Sequence, residues 1–180
     1  MIITKTPLRI SFTGGGTDLP AYYEQGYGAV VSAAINKYVY ITMNKRFDDT
    51  IRISYSKTEI VDSLKEIQHD IAKACMQMAG VNKGVEITSI SDIPSGTGLG
   101  SSSSFTVGLL NALYSYCGER LSAHELAEKA CQIEIDILGH PIGKQDQYAA
   151  AYGGINYFTF ECNGDVNREK IDISEEDKRL

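Results

Sequence analysis

Residues 94–104 read Pro94-Ser95-Gly96-Thr97-Gly98-Leu99-Gly100-Ser101-Ser102-Ser103-Ser104 and combine three glycines in five positions with a run of serines. Glycine at this density lets the backbone approach a ligand closely, although it costs about 1 kcal/mol per residue wherever order is required. Apolar residues at helical spacing follow, at Phe105, Leu109, Leu113 and Tyr116. The first N–H groups of that helix lack partners and carry the positive end of its dipole. The stretch therefore predicts a phosphate-binding loop, with a turn that only caps a helix as the alternative.

This loop differs from two other nucleotide-binding motifs. A P-loop requires a lysine directly after its last glycine, whereas Ser101 follows Gly100 here. A dinucleotide fingerprint requires a strand from a βαβ unit, and the strand-like run at 85–90 is not part of one. The sequence therefore predicts a phosphate loop of another kind.

The serine hydroxyls that follow the loop suggest a magnesium site. Magnesium accepts oxygen ligands next to bound phosphates and also requires a carboxylate nearby. Residues 134–147 supply candidates, because the acidic helix end at Glu134 is followed by a loop in which Asp146 lies between two glutamines. For Glu134 taken alone, a solvated helix face is the favoured interpretation.

Residue patterns elsewhere predict strands and helices. β-branched and aromatic residues, or apolar residues in alternation, predict strands at 2–5, 9–12, 29–35, 38–43, 51–55, 85–90 and 155–160. Apolar steps of three and four, or a capping box, predict helices at 58–79, 105–116 and 122–138.

Two further segments carry neither pattern. We expect residues 139–152 to be irregular, and the charged tail at 163–180 to contain too little apolar surface to close a core. The predicted fold class is α/β (α+β), with a mixed, mainly antiparallel sheet packed with helices.

Composition limits the classes of partner. A chain of 180 residues suits one domain, and its net charge of −6 argues against nucleic acid or an anionic membrane as partner. No apolar run approaches the roughly 20 residues of a membrane span, and the amino terminus lacks a signal-peptide pattern, so we expect a cytoplasmic protein. The cysteines show no metal-ligand spacing. A small anion such as ATP remains compatible with the negative charge, and the oligomeric state is left open.

Three stretches in this order resemble the GHMP kinases, named for galactokinase, homoserine kinase, mevalonate kinase and phosphomevalonate kinase. They are Pro7–Asp18, which resembles the family's first motif, Pro94–Ser103, which resembles its phosphate loop, and Gly143–Gln147, which resembles the Gly-x-x-Asp-Gln loop of its sugar kinases. The resemblance covers nearly the whole chain and implies that residues 1–180 form an amino-terminal ATP-binding domain. Because family kinases carry a second, carboxy-terminal domain, we expect the chain to be a fragment.

The resemblance also implies roles in catalysis and magnesium binding. Asp146 falls where galactokinase and mevalonate kinase have a catalytic aspartate, which accepts or orients the proton of the attacking hydroxyl. Arg9 matches an arginine that would hold Asp146 ionised and neutralise the transferring phosphoryl group. Glu134 and Ser102 match the family's magnesium ligands. A strand-end salt bridge is the structural alternative for Arg9.

Further positions are implied to bind substrates. The triphosphate of ATP would be bound by Pro94, Ser95, Gly96, Thr97, Gly98, Leu99, Gly100, Ser101, Ser102 and Ser103. The acceptor would be bound by Gly15, Gly16, Thr17, Asp18 and Lys144. Asp18 is alternatively a turn former, and Lys144, which would help place an anionic substrate or depress the pKa of Asp146, is alternatively a surface lysine.

The resemblance is greatest to a subset of the family. Residues 14–18 depart from the Gly-Glu-His-Thr-Asp of galactokinase, which argues against galactose, and the chain looks most like D-glycero-D-manno-heptose 7-phosphate kinases. The implied reaction is transfer from ATP to the anomeric hydroxyl of that sugar phosphate, with fucokinase or another GHMP kinase such as a mevalonate-pathway enzyme as alternatives. A non-catalytic sugar or nucleotide sensor on the same fold is the alternative from another class.

Overall fold

The structure is a computed structural model that describes residues 1–94 and 96–174. Its strands are β1 (Ile2–Thr13), β2 (Tyr27–Lys45), β3 (Ile51–Ser54), β4 (Thr58–Val61), β5 (Val85–Ser91), β6 (Ile155–Glu161) and β7 (Val166–Lys170). Its α-helices are α1 (Pro20–Tyr23), α2 (Asp70–Met78), α3 (Ser101–Tyr116), α4 (Ala123–Cys131) and α5 (Gln145–Tyr152). A 3₁₀ turn at Leu64–Glu66 and a π-helical segment at Gln132–Ile137 complete the regular structure of these residues.

The strands form one seven-stranded sheet in the order β4-β3-β5-β2-β6-β7, with β1 paired to β2. Strand β2 is central because its 19 residues are long enough to pair with three strands, using 27–33 for β6, 39–45 for β5 and 31–43 for β1. Only the pairing of β3 with β5 is parallel among these strands of the described chain. The predicted mixed, mainly antiparallel sheet with helices is confirmed.

Helix α3 lies directly against β1. Gly108 allows this close approach, because a Cβ atom there would lie 2.7 Å from the Thr6 hydroxyl oxygen. The hydroxyl of Thr4 donates to the Gly108 carbonyl at 2.9 Å, and the hydroxyl of Ser104 donates to the Pro7 carbonyl at 2.8 Å. These contacts fix the start of α3 beside the part of β1 that carries Arg9.

Two apolar clusters hold the helices on the sheet. The larger one buries residues such as Ile41 and Ile87 of the sheet against Leu109 of α3. The smaller one packs α5 against β6, where Phe158 and Phe160 are fully buried. Burying one such side chain contributes roughly 1.5–3 kcal/mol, so both α3 and α5 are held firmly at the positions from which they approach β1.

The helix predicted at 58–79 is wrong in its first half. Residues 58–61 form β4, which pairs antiparallel with β3, and only residues 70–78 are α-helical. Ile60, a member of the predicted apolar stripe, has 61% of its side chain exposed. Pairing with β3 satisfies the backbone of 58–61, and this tertiary contact overrides the helical spacing of the apolar residues.

The second part of the segment predicted to be irregular, 139–152, is helical, and part of the charged tail forms a strand. Residues 145–152 form α5, and residues 166–170 form β7, which pairs antiparallel with β6. Helix α5 buries a polar residue, Gln147, beside two alanines, so it lacks the apolar pattern on which the prediction relied. The last part of the predicted tail, residues 175–180, lies outside the described residues.

Helix α4 begins at the predicted capping box. The Glu125 amide donates to the Ser122 hydroxyl at 3.2 Å, and the Ser122 amide donates to the Glu125 carboxylate at 2.8 Å. The chain then continues into the π-helical segment that carries Glu134. No helix in the part of the chain that the structure describes is long and apolar enough to cross a membrane.

Candidate active site

The glycine loop, residues 94–100, ends at the start of α3 as predicted. Gly96, Gly98 and Gly100 have φ values of 82°, 75° and 73°, which other residues rarely adopt. Gly100 is the N-cap and offers no side chain, so the amides of residues 101–103 have no hydrogen-bond partner within the described residues. The loop therefore presents free N–H groups at the positive end of a 16-residue helix. Ser95, predicted to bind ATP, lies outside the described residues.

Arg9 connects this loop to Asp146. Its backbone amide donates to the Leu99 carbonyl at 3.1 Å, and its Nη1 donates to the Gly98 carbonyl at 2.9 Å. Its Nε donates to Oδ1 of Asp146 at 2.7 Å, and Nη2 lies 2.5 Å from the same oxygen. The predicted Arg9–Asp146 pair is present. It lies at the mouth of α3, which is the amino-terminal end of this helix beside the glycine loop.

Asp146 also contacts the end of the loop directly. A Cβ atom on Gly100 would lie 3.3 Å from Oδ2 of Asp146 and 3.3 Å from Cγ of Arg9. Helix α5 begins one residue before Asp146, so the Asp146 side chain extends from the first turn of α5 toward the start of α3. The catalytic candidate and the phosphate-binding candidate are therefore neighbours.

The environment of Asp146 shifts its acidity. Burial raises the pKa of this carboxyl group above its ordinary value, and the nearby carboxylate of Asp18 raises it further. The Arg9 guanidinium opposes this shift by charge and by hydrogen bonding, but burial is the largest influence. Asp146 is thus a stronger proton acceptor than a free aspartate.

Glu134 is fully buried, so the solvated-face interpretation of this residue is wrong. Its Oε1 accepts from the hydroxyls of Ser102 at 2.9 Å and Thr106 at 3.0 Å. Its Oε2 accepts from the Ser103 hydroxyl at 2.8 Å and from the Gln147 amide nitrogen at 2.5 Å. All four donors are neutral, which leaves a buried carboxylate without a cation among these partners.

This arrangement fits the predicted magnesium site. The oxygens of Ser102 and Glu134 lie 2.9 Å apart, close to the roughly 3 Å that separates adjacent ligands of an octahedral ion with bonds of about 2.1 Å. A bound cation would also compensate the buried charge of Glu134. No group of three or more acidic, histidine or cysteine residues that could hold a metal occurs in the described ranges, so the other ligands would be phosphate and water oxygens.

Two cavities border the glycine loop. The larger, of about 680 Å³, is lined by Gly96, Ser101 and Ser102 and by the aromatic side chains of Tyr55, His69 and Phe105. The His69 ring stacks on Phe105 with centroids 4.9 Å apart, and Tyr55 meets it edge-on at 4.7 Å. This wall is apolar and aromatic, as a heterocyclic base requires.

The smaller cavity, of about 350 Å³, lies beside Arg9 and Gly98. Gly15, which was predicted to bind the acceptor, lines it together with Ser11 and Gln145. The Ser11 hydroxyl donates to the Gln145 side-chain oxygen at 2.5 Å. This cavity offers hydroxyl and amide groups next to the Arg9–Asp146 pair, which suits a polar acceptor.

Other predicted acceptor residues are bound to the protein itself. Thr17 donates its hydroxyl to the Gly14 and Ala29 carbonyls, and the Gly16 amide donates to the Asp18 carboxylate. Asp18 is only 2% exposed. To bind Asp18, a substrate hydroxyl would have to displace a protein group that donates to this carboxylate, such as the Gly16 amide.

The side chain of Lys144 contacts the loop between β6 and β7. Its ammonium group donates to the Gly164 carbonyl at 2.7 Å and lies 5.4 Å from the centre of the Tyr23 ring. It is not among the groups that shift the pKa of Asp146, so the predicted depression of that pKa by Lys144 is wrong. A contact of Lys144 with the acceptor stays a prediction.

Several site residues were missed at the sequence level. Gln145 and Gln147 flank Asp146. In a helix that starts at Gln145, their side chains point in different directions, so each can contact a different group beside the Asp146 carboxylate. Thr106 lies one helical turn after Ser102, and this i to i+4 spacing was a usable signal. Tyr55 and His69 are separated along the sequence, and only the tertiary fold brings them together.

Comparison with known proteins agrees with this geometry. Residues 64–154 match the family described as the GHMP kinases N terminal domain. The match spans more than half of the 180 residues and contains the glycine loop, Glu134 and Asp146. The chain therefore belongs to the GHMP kinase family.

Two of the relatives are a heptose kinase and a fucose kinase. The chain is 36% identical over 177 residues to the D-glycero-alpha-D-manno-heptose 7-phosphate kinase of Campylobacter jejuni, covering 90% of this chain and 51% of that protein. It is 29% identical to an L-fucokinase/L-fucose-1-P guanylyltransferase of Bacteroides fragilis, covering 88% of this chain and 20% of that protein. The chain thus spans about half the length of the heptose kinase, and less of the bifunctional enzyme.

Solved structures agree as well. The crystal structure of a D-glycero-D-manno-heptose 1-phosphate kinase from Bacteroides thetaiotaomicron superposes with a TM-score of 0.90 at 31% identity, covering 97% of this chain and 61% of that one. A Lactococcus lactis galactokinase superposes with a TM-score of 0.74 at 22% identity, over 96% of this chain and 48% of that one, which shows a shared fold.

Proposed function

We propose that this chain is the ATP-binding part of a sugar kinase that transfers the terminal phosphate of ATP to a hydroxyl group, with a heptose 7-phosphate as acceptor and its anomeric hydroxyl as the site of transfer. The observation that carries the proposal is the position of Asp146, which is paired with Arg9 and lies against Gly100 at the mouth of α3. Direct phosphoryl transfer requires a proton acceptor close to the helix terminus that binds the phosphates.

The nucleotide would occupy the larger cavity. Its base would lie against Tyr55, His69 and Phe105. Its phosphate oxygens would accept hydrogen bonds from the free amides of residues 101–103. Burial lowers the pKa of His69, and its Nδ1 accepts a hydrogen bond from the Ala72 amide. A neutral ring at this place stacks on a base without adding charge.

The acceptor would enter the smaller cavity beside Asp146. Asp146 takes the proton of the attacking hydroxyl, for which its raised pKa is favourable. Arg9 holds the ionised carboxylate in place and stabilises negative charge on the phosphoryl group as it passes. No covalent intermediate on the protein is needed, because the hydroxyl attacks the phosphorus directly.

Ser102 and Glu134 would hold magnesium, which when bound supplies positive charge next to the phosphates of the nucleotide. Thr106 and Gln147 keep the Glu134 carboxylate oriented toward Ser102 by their hydrogen bonds. The reaction would take place in the cytoplasm, where ATP and phosphorylated sugars occur together.

The choice of acceptor is supported by similarity to the Campylobacter jejuni heptose 7-phosphate kinase. An L-fucose kinase is the second candidate, because the Bacteroides fragilis relative also aligns over most of this chain. Both candidate reactions would use the same glycine loop and the same smaller cavity of this chain, and a panel of acceptors distinguishes them.

The test measures ADP release by the full-length protein offered D-glycero-D-manno-heptose 7-phosphate, L-fucose, D-galactose and mevalonate in parallel. We expect turnover with heptose 7-phosphate to exceed that with the other acceptors by at least about 100-fold in kcat/KM, the discrimination of a site built to hydrogen-bond its substrate. A preference for fucose would replace the acceptor but keep the kinase. Nucleotide binding without transfer to any acceptor would favour the non-catalytic sensor.

A further inference from the structure

The carboxylate of Asp18 joins two loops on either side of the smaller cavity. Oδ1 accepts from the Gly16 amide at 3.0 Å and from the Gln145 side-chain nitrogen at 3.1 Å, and Oδ2 accepts from the Gln145 amide at 3.0 Å. The side chain is almost completely buried. All three hydrogen-bond donors therefore belong to the protein, and two of them are groups of Gln145 in the first turn of α5.

These bonds act as a helix cap supplied from a distant part of the chain. Lys144, the N-cap of α5, provides no side-chain hydrogen bond to the helix. Asp18 takes over this role for the first amide of the helix, and its negative charge favours the positive helix end. The backbone at Gly143 packs onto the same carboxylate, because a Cβ atom there would lie 1.9 Å from Oδ2.

Asp18 also fixes the side chain of Gln145. The nitrogen of this amide donates to Asp18 and its oxygen accepts from the Ser11 hydroxyl, so both ends are engaged and only one orientation of the amide is possible. Ser11 and Gln145 both line the smaller cavity, whereas Asp18 does not. The polar side chains that line this cavity are those of Gln145 and Ser11 together with Arg9, which is paired with Asp146.

We propose that Asp18 is a positioning residue that holds the first turn of α5, and with it Asp146, against Gly100, while Gln145 and Ser11 form the polar wall that selects the acceptor. This inference rests on the proposed function for its reference to an acceptor. It assigns Asp18 a role different from the predicted contact with a sugar hydroxyl.

The charge of Asp18 also acts on the pH dependence of the reaction, whichever of the two roles the residue has. Arg9 on β1 and Asp18 in the loop after β1 are the charged groups that shift the pKa of Asp146, and they act in opposite directions. Removing the charge of Asp18 takes away an influence that raises this pKa. The carboxylate of Asp146 then stays ionised to lower pH, so the acid limb of kcat moves to lower pH.

The experiment compares Asp18→Asn, Gln145→Met and a control, Glu125→Gln, in the full-length protein. Glu125 caps α4 from within that helix, by accepting from the Ser122 amide, and its hydrogen bonds do not reach α5. Amide hydrogen exchange, thermal unfolding and steady-state kinetics across pH are measured for each. All three variants lose a capping or orienting polar group, so loss of stability by itself does not separate them.

For Asp18→Asn we expect faster exchange of the amides at 145–148, a fall in kcat of about 100-fold through misplacement of Asp146, and an acid limb at lower pH. For Gln145→Met we expect an acceptor KM raised about 10-fold, the effect of one lost hydrogen bond to substrate, with an unchanged ATP KM. The control changes exchange only at the start of α4.

Other outcomes would overturn the inference. If Asp18→Asn raises the acceptor KM while kcat and exchange at 145–148 stay as in the wild type, then Asp18 binds the acceptor itself. An unchanged acceptor KM in Gln145→Met removes Gln145 from the wall. If the wild-type protein phosphorylates no acceptor, the proposed function fails, and the exchange data still decide whether Asp18 holds α5.

Discussion

At the scale of single residues, the chemistry depends on how Arg9 and Glu134 are paired. The Arg9 side chain donates hydrogen bonds to the loop carbonyl of Gly98 and to Asp146. One side chain therefore fixes both the phosphate loop and the carboxylate. The four groups that donate hydrogen bonds to Glu134 are neutral, so a bound cation would compensate its buried charge. Each of these two pairings leads to a prediction.

Replacing Arg9 by glutamine should shift the pH dependence of the reaction. Arg9 lowers the pKa of Asp146, so without it the pKa rises further and the acid limb of kcat moves to higher pH. We expect the rate at neutral pH to fall about 100-fold as charge stabilisation is lost. Arg52→Gln is the matched control, because Arg52 pairs with Glu86 at 2.9 Å on the sheet. An acid limb that stays in place would show that Arg9 does not act on Asp146.

Replacing Glu134 by glutamine should weaken magnesium binding. The amide is neutral and cannot compensate a cation, and its nitrogen faces groups that donate to the native carboxylate. We expect the magnesium concentration for half-maximal ADP release to rise at least about 10-fold. Glu128→Gln removes an exposed carboxylate of α4 and serves as control. Equal magnesium titrations for the variant and the wild type would exclude Glu134 as a ligand.

At the scale of elements, the site is made by the starts of two helices, α3 and α5, that meet beside β1. The start of α3 was predictable, because its glycines and serines are a local signal and the following apolar spacing is regular. The start of α5 was not, because this eight-residue helix buries Gln147 and alanines in place of an apolar stripe. Asp146 was therefore found by family resemblance, whereas its place on a helix came from the structure.

The same limit explains which contacts were missed. Thr58–Val61 shows helical spacing but pairs with β3, since an edge strand is decided by its neighbour and not by its own sequence. The four donors of Glu134 come from α3 and α5, so its burial depends on a packing that no local pattern contains. Local chemistry was readable from the sequence, and assembly between elements was not.

Adding a methyl group at Gly100 tests how closely the two helix starts approach. Gly100→Ala forces a side chain into a left-handed backbone position, at a cost of about 1–2 kcal/mol, and pushes toward Asp146 Oδ2. We expect a kcat lowered at least about 10-fold and a higher ATP KM.

Gly118→Ala is the matched control for this change. Gly118 has a φ of 84° just beyond the other end of α3, and a Cβ there meets no atom within 4 Å. It carries a comparable backbone cost with no contact to the site. If both variants lower thermal stability equally and neither changes the kinetics, the close approach at Gly100 has no catalytic role.

At the scale of the whole molecule, the chain covers 51% of the Campylobacter jejuni relative. The glycine loop, Arg9 and Asp146 all lie in this chain. We expect the isolated 180 residues to bind nucleotide weakly and to catalyse poorly, because part of the water-excluding wall would be absent. Calorimetric titration with ATP and ADP release, each compared with the full-length protein, check this. Equal turnover by the isolated chain would contradict it.

The most direct measurement of the central claim is single-turnover phosphoryl transfer by Asp146→Asn in the full-length protein, with nucleotide affinity measured in parallel. The account predicts an ATP affinity within about threefold of the wild type and a transfer rate lower by about 10²–10⁴-fold, the range for loss of a general base. A transfer rate equal to that of the wild type would contradict it, because the carboxylate at the mouth of α3 would then have no part in the reaction.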